Sequence, residues 1–133
     1  MNKLKIFAPI VLRLGMVFVF VWFGLNQLLN QSMWVSLIPV WIVNATGISA
    51  GAFVVINGLF EIIMAMMLSF GFHIRLVATL LFLHLAMIVS DVGLSAVGVR
   101  DVGLMFGLLS VAFQGADIYS YDEVEIVSEM SPQ

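Results

Sequence analysis

Residues 6–29 read IFAPIVLRLGMVFVFVWFGLNQLL, and Arg13 is the only charged side chain among them. A helix needs roughly 20 apolar residues to cross the hydrocarbon core of a bilayer, so this run predicts a first membrane span. Residues 52–72 predict a second span in the same way, with Glu61 as their only charge. Because Arg13 interrupts the apolar run, we expect a retained first helix rather than a cleaved secretory signal.

The remaining apolar stretch, residues 74–113, is too long for a single span. Charged residues and glycines interrupt it between positions 91 and 101, which predicts a helical hairpin of residues 74–92 and 97–116. The predicted fold is therefore an all-α integral membrane four-helix bundle surrounded by the lipid bilayer.

Composition supports the same class of protein. Of the 133 residues, 62% are hydrophobic and 10% are charged, and mean hydropathy is +1.15. Soluble domains carry about a quarter charged residues, and a small soluble domain cannot hide this much apolar surface. The five bases are too few and too scattered to form a nucleic-acid-binding patch, so we expect no nucleic-acid partner.

Residues 30–51 differ from the spans, because polar and helix-breaking residues bracket them and Pro39 lies between. Trp34 and Trp41 are seven positions apart and would share one face of a helix. Indole rings collect at membrane–water interfaces. We therefore expect an interfacial segment between the first and second spans.

The basic residues predict the orientation through the positive-inside rule. Lys3, Lys5 and Arg75 fall on one side of the bundle, and Arg100 falls on the other. Both termini are then expected in the cytoplasm, in a multi-pass protein of the cell membrane.

The C-terminal stretch is acidic and contains no base. We expect residues 1–116 to form the transmembrane bundle and residues 117–133 to form an acidic cytoplasmic tail. The tail is expected to be solvated, and the alternative is that residues 124–127 add a strand to a partner.

The sequence contains no cysteine and two histidines, His73 and His84. Cysteine-ligated iron–sulfur clusters are thereby excluded. The two histidines are eleven residues apart on neighbouring or continuous helical turns, so they cannot face each other across one haem. We expect no metal site and no cofactor bound by this chain alone. No nucleophile–base pair is visible, so the sequence leaves open whether the chain is an enzyme.

Three ionisable residues lie at similar depths within the predicted spans. Arg13 lies roughly 10 Å from the cytoplasmic ends, Glu61 roughly 16 Å and His84 roughly 15 Å, at about 1.5 Å per helical residue. Because such groups cost several kcal/mol unless they are paired or wetted, we predict an Arg13–Glu61 pair with His84 nearby. Asn57 lies one turn from Glu61 and completes a buried polar cluster, which is either structural or a ligand-binding site.

A second polar cluster is expected nearer the outer surface, around the turn between the third and fourth spans. Its predicted members are Gln27, Asp91, Arg100 and Asp101. They either satisfy one another through ion pairing and helix capping, or leave one carboxylate free for a cation or ligand.

Small residues predict where the helices approach closely. Gly24 lies on the same stripe of the first span as Arg13. Gly103 and Gly107 form a small-x-x-x-small motif on the fourth span. We expect all three glycines to be helix-packing positions.

Several motifs recur in one order along the chain, and together they resemble the DoxX family of small four-helix membrane proteins. They are Arg13-Leu-Gly15 with Trp22-Phe-Gly24, Gly58-Leu-Phe-Glu61, Arg100-Asp101, and Gly115-Ala-Asp-Ile-Tyr119. The likeness extends from about Arg13 to Asp122. The chain departs from the family pattern at Gln27, where a lysine is common, and at Asp117 and Ile118, where glycine and arginine are common.

The resemblance implies membrane redox work. The first expectation is an accessory or anchoring subunit of a membrane-bound respiratory or redox complex, with other membrane proteins as partners. The alternative is a quinone-interacting subunit of a thiosulfate:quinone oxidoreductase-type enzyme, in which Arg13, Glu61 and His84 provide a hydrogen-bond donor and a proton source. A small-solute carrier is the third hypothesis, which four short helices without a repeat disfavour.

Overall fold

A computed structural model describes residues 3–130, which contain seven helices and no strand in that range. Four of these helices are long and apolar enough to cross a membrane. The prediction of an all-α membrane bundle is confirmed. The helices are α1 (Lys3–Leu29), α2 (Gln31–Val35), α3 (Val40–Thr46), α4 (Ala50–Phe70), α5 (Ile74–Val92), α6 (Ala96–Gln114) and α7 (Tyr121–Met130).

Local capping decides where the long helices begin and end. The hydroxyl of Ser49 accepts from the amide of Ala52 at 3.3 Å, so α4 begins two residues before the predicted span. Ser95 caps α6 in the same way, through the amide of Gly98 at 3.2 Å. Gly115, with a φ of 71°, ends α6 just before the predicted boundary.

The four long helices alternate in direction, so the bundle has two ends. The proximal end contains the start of α1, the α4–α5 turn and the end of α6. The distal end contains the end of α1, the α2–α3 segment (residues 30–49) and the α5–α6 turn. Helix α1 packs mainly on α4, and α5 packs mainly on α6, while the two pairs contact each other less. The fully buried side chains between them include Phe20, Leu68, Leu81 and Leu108.

The outward faces of the bundle are apolar. Only about a quarter of each spanning window is buried within the chain, 22% in α1 and 28% in the other three. The exposed side chains include large residues such as Phe18, Trp22, Phe106 and Phe113. Because water would make such a surface unfavourable, lipid is the solvent that fits it.

The α2–α3 segment consists of two short helices rather than one. The predicted shared face of Trp34 and Trp41 is wrong, because a turn ending at Pro39 places the two indoles on different helices. The indole N–H of Trp34 donates to Asn26 Oδ1 at 2.9 Å. Gln31 Nε2 donates to the carbonyl of Gly51 at 2.6 Å. These bonds hold α2 against the distal ends of α1 and α4.

Two of the three predicted packing glycines lie at helix contacts. A Cβ added to Gly24 would lie 2.7 Å from the carbonyl oxygen of Gly58, so α1 and α4 approach through a glycine pair. A Cβ on Gly107 would collide with the methyl group of Met16 on α1. The prediction for Gly103 is wrong: among the residues described, apart from its chain neighbours and the backbone of its own helix, no atom lies within 4 Å of a Cβ placed there. The buried face of α6 includes Asp101 and Leu108, and Gly103 does not lie on it.

The residues after α6 pack back onto the proximal end. Asp117 and Ser120 are buried, and Asp122 accepts from the amides of His73 at 2.8 Å and Ile74 at 2.9 Å at the start of α5. Residues 124–127 lie within helix α7 and not in a strand. The division at residue 117 stays a prediction, but the first residues beyond it contact the bundle.

Candidate functional site

Glu61 lies at the centre of a hydrogen-bonded cluster in the middle of the bundle. Its Oε2 accepts from Gln27 Nε2 at 2.8 Å, and its Oε1 accepts from Asn57 Nδ2 at 3.1 Å. His84 Nε2 lies 3.1 Å from the same Oε1. Asn57 Nδ2 also donates to Gln27 Oε1 at 2.7 Å. Helices α1, α4 and α5 thus bring four polar side chains together, which we call the Glu61 cluster (Gln27, Asn57, Glu61 and His84).

Burial and packing fix this cluster in place. Glu61 and Gln27 each retain 3% of their accessible surface, whereas the side chain of His84 retains 16%. The ring of Phe60 lies 5.1 Å from the His84 ring, tilted by 52°. His84 is therefore the more accessible partner of the buried carboxylate.

The predicted Arg13–Glu61 pair is wrong. Arg13 pairs with Asp117 instead, with Nε 2.7 Å from Oδ2, and Nη1 donates to the carbonyls of Leu68 and Ser69. Leu68 is seven residues from Glu61, which is about 10 Å along a helix. Arg13 therefore lies against the last turn of α4, where the carbonyl groups at the C-terminal end of a helix favour a cation.

Gln27 also lies in a different cluster from the one predicted. It was expected near Asp91, Arg100 and Asp101, but it donates to Glu61. The close contact between Gly24 and Gly58 draws the end of α1 against α4, and a Cβ on Gly58 would be 3.2 Å from the Cβ of Gln27. The α1–α4 contact thus directs Gln27 into the interior.

Arg100 and Asp101 form the polar part of the distal end. Arg100 Nε donates to Asp101 Oδ1 at 2.8 Å, and the guanidinium lies 4.7 Å from the centre of the Phe23 ring. The side chain of Asp101 is 5% exposed and that of Arg100 is 48% exposed. Asp91 is exposed and lies on the lining of the same cavity.

A cavity of about 290 Å³ joins the two clusters. The Glu61 cluster forms its inner polar part, and Asp91, Arg100 and Asp101 lie on its distal part. The remaining lining is mostly apolar. It comprises residues of α1, the α2–α3 segment, α4, α5 and α6, including Phe20, Phe23, Trp34, Ile42, Phe53, Leu85, Ile88 and Leu104.

A sequence model of the DoxX family matches residues 8–94, which is more than half of the chain. The chain belongs to the DoxX family. The matched part of this DoxX protein includes the whole Glu61 cluster and Arg13. Residues 95–122, on which part of the resemblance rests, lie beyond the match. No curated protein and no solved structure was found to match the chain.

Asp117 is the site residue that sequence reasoning missed in this DoxX protein. It is the first of five acids in a C-terminal stretch without a base, so composition placed it in the acidic tail. The signal that could have identified it is the requirement that Arg13 have an acidic partner in its own half of the membrane. Asp117, three residues beyond the end of α6, meets that requirement.

Proposed function

We propose that this DoxX protein is a membrane subunit that binds a lipid-soluble, quinone-type ring in its cavity, within a membrane-bound redox complex. The observation that carries the proposal is the contact between His84 Nε2 and Glu61 Oε1 on the inner lining of a mostly apolar cavity. Small-molecule sites combine apolar walls with a few converging polar groups. A ring with oxygen substituents matches that combination.

The size of the cavity supports a ring head rather than a larger molecule. Its volume of about 290 Å³ is close to the lower end of the range for small-molecule sites. Phe20 and Phe23 of α1 and Leu85 and Ile88 of α5 supply apolar contacts to a ring. The cluster supplies hydrogen bonds within the bilayer, where a polar group without a partner is energetically costly.

The proposal assigns binding to this chain and electron transfer to its partners. In the proposed orientation the protein lies in the cell membrane with its proximal end toward the cytoplasm, because Lys5 and Arg75 lie at that end. The cavity then lies in the half of the bundle away from the cytoplasm. Buried ionisable residues inside a membrane mark functional sites by default, which supports a ligand role for Glu61.

The experiment is to isolate the protein in native-membrane discs and to quantify the quinone that can be extracted per chain. Glu61→Gln keeps the shape of the side chain but gives the cavity an amide in place of a carboxylate. We expect its quinone content to fall by about tenfold, because a site built around one hydrogen-bonding pattern binds poorly when that pattern changes. Glu123→Gln, on α7, is the matched control and should leave the quinone content unchanged. Equal quinone content in the two variants would sink the proposal.

A second candidate is the anchoring or accessory subunit, which helix α7 favours. All ten of its residues are at least partly exposed, and Val124, Val127 and Met130 are each more than half exposed. Glu125 and Glu129 lie one turn apart on one face of the helix. An exposed helix with an acidic face and apolar residues fits a basic partner protein at the membrane surface.

This candidate is tested by native purification. Replacing Glu125 and Glu129 by lysine should remove the redox partner subunits that copurify with the unaltered chain. Asp91→Lys, a charge reversal at the other end of the bundle, is the control and should retain them. A chain that purifies alone before any substitution would contradict the anchoring role.

A further inference from the structure

The Glu61 carboxylate fixes the directions of the amide groups around it. Carboxylate oxygens accept hydrogen bonds, so the groups of Gln27 and Asn57 that face Glu61 must be their NH2 groups. Gln27 Oε1 is then free to accept the second N–H of Asn57, at 2.7 Å. The two amides cannot flip without placing an oxygen against a carboxylate oxygen.

In this arrangement most N–H donors of the cluster are engaged in hydrogen bonds within it, whereas two of its acceptor atoms have no donor among the described residues. Both N–H groups of Asn57 are engaged, whereas Asn57 Oδ1 has no hydrogen-bond partner in the part of the chain that the structure describes. His84 meets Glu61 through Nε2, and its Nδ1 likewise has no partner within residues 3–130. When Nε2 of a neutral imidazole donates, Nδ1 accepts.

The two acceptors are reachable and not sealed. Buried side-chain nitrogen and oxygen atoms of the described residues all have partners, so unpartnered atoms of Asn57 and His84 must retain accessible surface. Both residues line the cavity. With a neutral His84, a ligand at the inner end of the cavity therefore meets two acceptors, against one remaining donor there, the second N–H of Gln27, whereas the N–H groups of Arg100 lie at the distal end.

From this imbalance we infer that the cavity selects a ring that donates hydrogen bonds, of the phenol or hydroquinone class, over the matching ring that only accepts. The inference rests on the proposed function, because it concerns the same cavity, and it names the form of the ligand that binds. A carbonyl oxygen facing Asn57 Oδ1 or His84 Nδ1 would leave both acceptors unsatisfied. A hydroxyl group satisfies one of them, and its O–H exchanges a hydrogen bond to water for one to the protein.

The experiment uses the full chain in lipid discs and two redox-inert probes, 4-nonylphenol and 4-nonylanisole. They share a ring and a tail and differ in that the methyl ether cannot donate. Binding is measured calorimetrically and corrected for partitioning into protein-free discs. One hydrogen bond corresponds to about three- to tenfold in affinity, so the phenol should bind at least about threefold more tightly than the anisole. The redox pair tetramethylhydroquinone and tetramethylquinone, compared without oxygen, should show the same order.

Two variants assign the preference to its atoms. Asn57→Ala removes Oδ1, and His84→Phe removes Nδ1 while keeping a ring beside Phe60. Each should reduce the ratio of phenol to anisole affinity toward one. Asn44→Ala, at an exposed position of α3, is the matched control for Asn57→Ala and should keep the full ratio.

The outcomes separate this inference from the proposed function. An anisole or quinone that binds as tightly as its hydroxyl counterpart overturns the donor preference and leaves the quinone-type site standing. Failure of all four probes to bind overturns both. A preference for the phenol that persists in Asn57→Ala and in His84→Phe also overturns the inference, because the acceptors would then lie elsewhere.

Discussion

Arg13 and Asp117 form a two-point ion pair across 104 residues of chain. The Nε–Oδ2 distance is 2.7 Å and the Nη2–Oδ1 distance is 3.1 Å. The remaining Nη1 group donates to the carbonyls of Leu68 at 2.6 Å and Ser69 at 2.8 Å. One guanidinium thus joins α1, the last turn of α4 and the segment beyond α6.

Removing the acidic partner should destabilise the bundle strongly. In Asp117→Ala the buried guanidinium of Arg13 loses its counter-charge, which typically costs about 3–5 kcal/mol of unfolding free energy. Denaturation in mixed micelles, followed by circular dichroism, measures the change. Asp91→Ala is the control, because Asp91 is exposed, and should shift stability by no more than about 0.5 kcal/mol. Equal stability of the two variants would show that the pair contributes little.

Two glycines should respond in opposite ways to the same substitution. In Gly24→Ala the new methyl group would lie 2.6 Å from Ile62 Cγ1 and 2.7 Å from the Gly58 carbonyl, so α1 and α4 must separate. We expect a loss of about 1–3 kcal/mol. Gly103→Ala should instead be neutral or stabilising by up to about 1 kcal/mol, because alanine favours a helix and meets no neighbouring atom within residues 3–130. Thermal unfolding in detergent distinguishes them, and a Gly24→Ala variant as stable as Gly103→Ala would refute the close contact.

Asp122 should hold the start of α5 and the tail together. Its carboxylate accepts from two amides that lack partners within α5, those of His73 and Ile74. Asp122→Ala should cost about 1 kcal/mol and speed hydrogen exchange at these two amides. Glu125→Ala, an exposed acid one turn later in α7, serves as the control. Unchanged exchange in Asp122→Ala would mean that the cap does not persist in lipid.

At the distal ion pair of Arg100 and Asp101, removing the base alone should destabilise the protein more than removing both charges. Arg100→Met leaves the buried carboxylate of Asp101 without its partner, whereas Arg100→Met with Asp101→Asn removes the charge as well. We expect the single variant to lose about 1–3 kcal/mol, less than a fully buried pair because Arg100 is half exposed. The double variant should recover at least half of that loss. A double variant less stable than the single one would contradict this account.

Periodicity predicted the helices and the polar face of α4 but not the partners of every polar residue. Spacing alone brought Asn57 and Glu61 together, since they are one turn apart on one helix. The partner of Arg13 depended on which segment packs against it at the proximal end of the bundle. Helical phase gives the face of a residue but not the segment that packs there. The adjacent residues Arg100 and Asp101 point about 100° apart on α6, so which of the two is buried depends on a helical phase that their presence in one cluster does not give.

The height of Gln27 could not be predicted for a related reason. Counting residues placed it near the surface, but the glycine contact between α1 and α4 sets how the two helices slide against each other. That contact involves Gly24 and Gly58, which are distant in sequence. Long-range packing therefore decided the composition of the site.

The distance along the chain between Arg13 and Asp117 also sets an order of events during biosynthesis. Arg13 enters the membrane with α1, and its partner is translated 104 residues later. At about 5–20 residues per second, the arginine waits roughly 5–20 s for its carboxylate. During that interval its long side chain must reach toward the headgroups or find a temporary partner. Translation of Asp117, and not insertion of α1, locks the nascent assembly.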